Sequence, residues 1–305
     1  MFSPVSPQAH AITALLVTVF AICAAIFVLV ACLVVYGAIR YRSRGIADEP
    51  VQSFGSTRVE VLWTAAPLLL LVLIFGLTVA AGGAADPSTP DTEPDVQLIG
   101  HQWWWEVQYP RVGIVGANEI HMPTHTRVLL ELRSADVIHD FWVPQLGRKM
   151  DMVPGHPTRL WIEADAAGTY TGACGEYCGA EHAWMRLRVV AEPAADFARW
   201  VVRERTPASS AAEGAAAEGA RLFDAMTCAS CHAIAGTGHS ARIGPDLTHI
   251  ATRARLAGEL IDNTPANLAG WIAHPDTLKP GSHMPNLHLS SDQVSALVAY
   301  LETLQ

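Results

Sequence analysis

Two long apolar runs occupy the first third of the chain, and nothing after them reads the same way. From Ala11 to Ile39 there is no charged residue, and a second run extends from about Val61 to Gly83. A bilayer core takes roughly 20 apolar residues of helix, so both runs predict membrane spans. A cleavable signal peptide would open on basic residues and carry an apolar core of about 7–15 residues. Here the first charge of any sign is Arg40. Arg40, Arg42, Arg44 and Arg58 stand between the runs against Asp48 and Glu49. The positive-inside rule then puts that loop in the cytoplasm and both termini outside. Residues 1–94 read as a helical hairpin that ends in a turn-rich linker, Ala84 to Pro94.

Beyond the linker the period shortens. Arg127–Leu132, Thr158–Glu163 and Trp184–Val190 read as short strands, the last two with alternating character. Clusters of Gly and Pro separate them, as in an all-β sandwich, here assigned to residues 95–205. A polar, Ala/Ser-rich connector follows, and its flexible part, residues 206–213, reaches at most roughly 28 Å at about 3.5 Å per residue. Helical periodicity returns at Ala215–Met226. It returns again at Ser290–Glu302, where Ser290 or Ser291 caps an amphipathic terminal helix. Residues 212–305 thus form a third unit.

Composition agrees with a membrane protein that carries soluble parts. Half the residues are hydrophobic, and mean hydropathy is +0.23. The net charge of −9 excludes nucleic acid as a natural partner and matches a basic protein patch better. Cys23 and Cys32 fall inside the first apolar run, where they read as small packing residues. The other four cysteines, Cys174, Cys178, Cys228 and Cys231, sit in two patterns with chemistry of their own.

The first is Cys174-Gly-Glu-Tyr-Cys178-Gly-Ala-Glu-His182-Ala-Trp-Met185, with two thiols, an imidazole and a thioether in twelve residues. Thiolate and thioether favour Cu(I) and zinc, and imidazole suits both metals. His139, in Asp136-Val-Ile-His139-Asp-Phe-Trp142, is the candidate second imidazole. A disulfide and a zinc site are the alternatives, although structural zinc sites are built from Cys, His and carboxylate ligands rather than thioethers. His121 and His125 have Pro123 between them, which argues against a helix, so they are not expected to converge on a metal. The second pattern, Cys228-Ala-Ser-Cys231-His232, is the C-x-x-C-H signature of covalent haem attachment, with His232 as proximal ligand. Met284, in Lys279-Pro-Gly-Ser-His283-Met284-Pro285, resembles the methionine followed by proline of small cytochromes c, and that resemblance makes it the leading distal ligand. His283, His239, His249, His274 or His288 could ligate instead, and Met226 reads as helix packing.

His139-x-Phe-Trp followed by Cys174-x-Glu176-x-Cys178-x-x-x-His182-x-x-Met185 resembles subunit II of the haem–copper respiratory oxidases. The resemblance implies a cupredoxin-like domain with a dinuclear copper A centre. Cys174 and Cys178 would bridge two coppers, and His139 and His182 would cap them. Met185 and the carbonyl of Glu176 would be weak ligands. The Glu176 side chain would face a magnesium or manganese site shared with subunit I; Asp140 and Asp151 are further acids nearby. In His101-Gln-Trp-Trp-Trp105 the family's electron-entry residue falls on Trp103, although three adjacent Trp read equally as packing. Trp104 stands where Tyr is usual. Glu60, in Glu60-x-x-Trp63, falls on a glutamate near the entrance of a proton pathway; by itself it reads as an interfacial carboxylate.

The third unit, with Gly244-Pro-Asp-Leu-Thr248 and a late Met-Pro, is similar to a small all-α class I cytochrome c. The combination resembles the cytochrome-c-fused, caa-type oxidases of bacteria. It implies a multi-domain electron-input subunit in the bacterial cell membrane, active only in complex with subunit I and other subunits. Its donor would be a cytochrome c or a membrane-bound cytochrome. A copper-A nitric oxide reductase and a non-enzymatic copper carrier are the competing readings.

Overall fold

Ser6 opens the first helix: its hydroxyl accepts from the Ala9 N–H, and Pro7 follows at the first helical position, where no donor is needed. This helix, α1, spans Pro7–Arg40, and its partner α2 spans Thr57–Ala85. In both, no residue of the most apolar 18-residue window is buried by protein, with mean hydropathies of 3.0 and 2.4. Apolar surface on that scale is stable only against lipid. The computed structural model describes residues 3–42, 52, 54–207 and 213–305. Arg44, Asp48 and Glu49 of the expected loop, and most of the 206–213 connector, lie outside the described residues.

Both outer ends of the hairpin are fastened to the β domain. The Ser6 hydroxyl donates to the Leu146 carbonyl at 2.7 Å, and the Val5 N–H donates to the Gln145 carbonyl at 3.0 Å. Past α2, Arg148 pairs with Asp86 at 2.6 Å. The residues before α1 and the β domain therefore share one side of the hairpin, as two spans require.

The β domain is a sandwich of two five-stranded sheets. One is ordered β3-β2-β1-β5-β8: Ile114–Ala117, Trp104–Tyr109, Val96–His101, Val128–Ser134 and Thr158–Ile162. The other is ordered β4-β10-β9-β6-β7: Glu119–Pro123, Arg186–Glu192, Gly168–Cys174, His139–Trp142 and Met150–Met152. Strict alternation decides which residues face inward. Val96 and Leu98 of β1, and Leu187 and Val189 of β10, are buried while their neighbours are not. Trp105, Phe141, Ile120 and Met152 fill the space between the sheets. The strand expected from Trp184 begins only at Arg186, because His182–Trp184 forms a 3-10 turn. A helix the alternation did not foretell, α3 (Ala194–Glu204), closes the domain by seating Trp200 against Tyr109 and His121.

The third unit is mostly helical. It comprises α4 (Gly214–Ala225), α5 (Cys228–Cys231), a hairpin of β11 (Arg255–Leu256) and β12 (Ile261–Asp262), α6 (Pro265–Ala273), α7 (Pro275–Leu278) and α8 (Ser291–Leu301). The hairpin departs from the all-α expectation. Ser290 and Gln293 complete a reciprocal capping box on α8. α4 crosses α8 at Gly219, where a Cβ would stand 2.0 Å from the Ala296 carbonyl oxygen and 2.7 Å from Tyr300 Cβ. Gly219→Ala is therefore expected to force the helices apart and cost about 1–3 kcal/mol. In scanning calorimetry the transition of this unit should move to lower temperature while that of the β domain stays in place.

Candidate metal and haem sites

The ligand candidates of the β domain meet because β9 and β6 are neighbours. Phe141 pairs with Cys174 across them, so His139 and Cys174 come to the same end of the sheet. β9 and β10 form an antiparallel pair, and the chain between them is the ligand loop. It is closed by the Cys174 N–H on the Met185 carbonyl at 2.9 Å, while the Gly175 N–H donates to the Asp140 carbonyl at 3.0 Å.

Cys174 Sγ lies 3.8 Å from His139 Nδ1 and 3.2 Å from the Glu176 carbonyl oxygen. Cys178 Sγ lies 3.6 Å from His182 Nδ1 and 3.7 Å from Met185 Sδ. His139, Cys174 and Cys178 offer ligand atoms within 4.8 Å of one another, all three residues buried. Each sulfur thus has its own imidazole and its own weak donor. His121 and His125 do not join any such group among the described residues; the His121 ring stacks on Trp200 instead.

Charge makes the pair demand a cation. The Cys178 thiol bonds to Cys174 and, with help from His139, holds the Cys174 pKa down to about 4; the same neighbour and burial push Cys178 up. Positive metal ions would let both thiols ionise, and the donor set fits copper in particular. Asp136, quoted in the motif but given no role there, proves to orient His139: its Oδ1 lies 2.7 Å from Nε2 and leaves Nδ1 for the sulfur side. Burial works against a charged His139, but Asp136 and Cys174 together outweigh it and raise the pKa. Glu176 turns its carbonyl inward and leaves its side chain exposed.

Around this cluster the three tryptophans differ. Trp105 is fully buried beside His139, and Trp104 stacks on His101 at 4.4 Å. Trp103 Nε1 donates to the Cys178 carbonyl at 2.9 Å, and the ring's other neighbour is His283 of the third unit, with centroids 4.7 Å apart.

That contact borders a cavity lined by His232, Gly244, Pro245, Trp271, His283 and Met284 on one side and by Trp103 on the other. His232 Nδ1 donates to the Pro245 carbonyl at 2.7 Å, so Nε2 is free to ligate. A Cβ on Gly244 would stand 2.5 Å from the His232 ring, so the ring position depends on that glycine. Burial lowers the His232 pKa and keeps the ring neutral, as a ligand must be. The cavity gathers Met284 and His283 but none of the other four histidines, nor Met226. The residues present fit a haem.

Comparison with known proteins agrees with this geometry. Residues 1–78 match the transmembrane domain of cytochrome c oxidase subunit II, residues 111–192 its periplasmic domain, and residues 216–305 match cytochrome c. Over 273 residues the chain is 36% identical to cytochrome c oxidase subunit 2 of Alkalihalophilus pseudofirmus, covering 87% of this chain and 79% of that one. The subunit from Bacillus subtilis is 31% identical, with 88% and 82% covered. The chain belongs to the cytochrome c oxidase subunit II family. It carries a C-terminal cytochrome c domain, as in a caa-type fusion, and is a component of an oxidase complex. The family implies copper A, and the cytochrome c domain implies haem. A solved structure of the periplasmic domain of subunit II from Bradyrhizobium japonicum aligns with 39% of this chain and 97% of that chain, at 28% identity and a TM-score of 0.37. The nitric oxide reductase and copper-carrier readings are not favoured by these relatives.

One acid beside the thiol cluster has a testable titration. Asp140 is fully buried, neither of its carboxylate oxygens has a hydrogen-bond partner among the described residues, and Asp151 faces it across the β6–β7 pair. Burial, reinforced by Asp151 and opposed by Lys149, raises its pKa to about 7. A raised carboxyl pKa means the folded state holds the proton more tightly than the unfolded one. Its stability contribution is complete below about pH 4 and is lost as pH rises through about 7. Asp140→Asn should leave stability near pH 4 little changed and raise it by about 1–4 kcal/mol at pH 8. Thermal unfolding of the copper domain at both pH values checks this.

Proposed function

We propose that this chain is the electron-input subunit of a terminal respiratory oxidase in a bacterial cell membrane. Electrons from a cytochrome c or a membrane-bound cytochrome would enter at a covalent haem c, pass to dinuclear copper A and go on to haem in subunit I. There oxygen is reduced to water with proton translocation. Both cofactors are one-electron carriers, and that is the chemistry they supply when bound. The observation that carries the reading is the position of Trp103, hydrogen-bonded to the backbone of Cys178 and packed against the residue next to Met284.

In this reading Cys174, Cys178, His139 and His182 would hold the two coppers, with Met185 and the Glu176 carbonyl as weaker donors. Cys228 and Cys231 would hold the haem covalently, and His232 and Met284 would ligate its iron. Methionine in place of a second histidine raises the haem potential, which suits a donor to copper. The exposed Glu176 carboxylate is free to reach a magnesium or manganese ion shared with subunit I. Glu60 is exposed in the first turn of α2, and by the family resemblance it would lie near a proton pathway entrance in subunit I. The clustered arginines put the α1–α2 loop in the cytoplasm, and with it both termini and both cofactor domains on the outer side.

Two substitutions test the assignment. Cys178→Ser removes one bridging thiolate and should abolish the mixed-valence copper signal in electron paramagnetic resonance. Haem c should then reduce fully and stay reduced while oxygen uptake collapses; haem c oxidised at the normal rate in the assembled complex would take copper off the path. Met284→Ala should keep the haem covalently attached but lose the sulfur-to-iron absorption band and lower the potential. Persistence of that band would assign the sixth ligand elsewhere.

A further inference from the structure

A domain tethered by a connector could wander or be seated in one place, and the side chains between the two soluble domains speak for the second. Lys279 belongs to the cytochrome domain, yet its ammonium lies among groups of the copper domain. It donates to the Trp103 carbonyl at 3.1 Å and pairs with Glu181 at 2.9 Å, with 5% and 1% of the two side chains exposed. A charge removed from water in this way needs such partners to be tolerated.

Beside it stands the tip of the β11–β12 hairpin, where three consecutive residues take positive φ: Ala257 at 55°, Gly258 at 72° and Glu259 at 71°. Non-glycine residues seldom adopt that region, and two of these three are not glycine. A Cβ on Gly258 would lie 3.3 Å from the Trp184 carbonyl oxygen and 3.4 Å from Lys279 Nζ, so the tip and the lysine form one contact. Glu259 pairs with Arg188 of the copper domain, and the Ala254 N–H donates across the boundary to Glu119 at 3.2 Å.

We propose that Lys279 and the 257–259 tip form a latch that seats the cytochrome domain on the copper domain and holds His283 against Trp103. Lys279 lies on the segment that leads to Met284, so the same residue positions the iron-facing loop and the Trp103 backbone. The latch stands on contacts alone; only its consequence for electron transfer rests on the relay proposed above.

The test uses the intact oxidase and two readouts. One is hydrogen exchange of the 254–262 amides, which reports seating directly because the Ala254 N–H bonds across the boundary. The other is the flash-induced rate from haem c to copper A as a function of ionic strength. In Lys279→Met, exchange should rise at least tenfold. The rate should fall at least tenfold and become salt-dependent, with the haem absorption and copper resonance spectra unchanged. Unchanged exchange overturns the latch whatever the rate does. Raised exchange with an unchanged rate upholds the latch and removes this contact from the relay. If Lys279→Met fails to assemble, Glu259→Gln breaks only the Arg188 pair and carries the same exchange test: a rise upholds the latch, and no change overturns it.

Discussion

The β9–β10 register governs the end of the sandwich where the two thiols, two imidazoles and the thioether gather. Arg186 opposes Ala173 and Leu187 opposes Gly172, so the eleven residues from Cys174 to Trp184 are held as a loop above a fixed last rung, with Met185 folded back onto Cys174. Strand side chains alternate faces, so a slip of one residue would carry Leu187 and Val189 out of the core and turn Cys174 away from His139. The same burial that stabilises the sandwich therefore fixes the donor atoms. The loop adds close approaches that only glycine allows: a Cβ on Gly175 would stand 2.4 Å from Asp140 Oδ1.

A second level of order follows from Trp103. Its indole N–H and the Gln102 side-chain amide both donate to the Cys178 carbonyl, which ties the β1–β2 turn to the ligand loop. Its carbonyl and ring face the other domain. One residue thus connects the backbone of the thiol loop to the rim of the haem cavity, and the two sites share a wall.

Much of this was legible in the sequence, for identifiable reasons. Apolar length revealed the hairpin, and the coincidence of thiol, imidazole and thioether within twelve residues revealed the metal site. C-x-x-C-H pointed to a haem-binding unit, and residues 216–305 match cytochrome c. What stayed hidden depends on partners remote in sequence. Asp136 lies three residues before His139, a spacing that signals nothing in an irregular segment. Trp184 belongs to a strand by alternation but to a turn by tertiary need. Helix α3 has a strongly amphipathic pattern, and the polar run that follows it masked its role as the closing piece of the β domain. Lys279 reads as a solvated charge, since its significance comes from Glu181, 98 positions upstream.

That last case bears on why a charge is spent at the domain boundary. Burial pushes the Lys279 pKa down and the Glu181 pKa up, and mutual attraction opposes both shifts. Replacing both partners by well-packed apolar groups would therefore change the net affinity little, whereas removing Lys279 alone leaves Glu181 buried and unpaired. A hydrophobic contact of equal area would hold the domains as firmly, but it would tolerate sliding and rotation, because apolar burial is non-directional. The ammonium is satisfied only where the Trp103 carbonyl and the Glu181 carboxylate meet it together, which defines one orientation. Affinity is not what the boundary lacks: the connector already keeps the domains at high local concentration. What it lacks is orientation, and a buried, directional pair beside Trp103 supplies it.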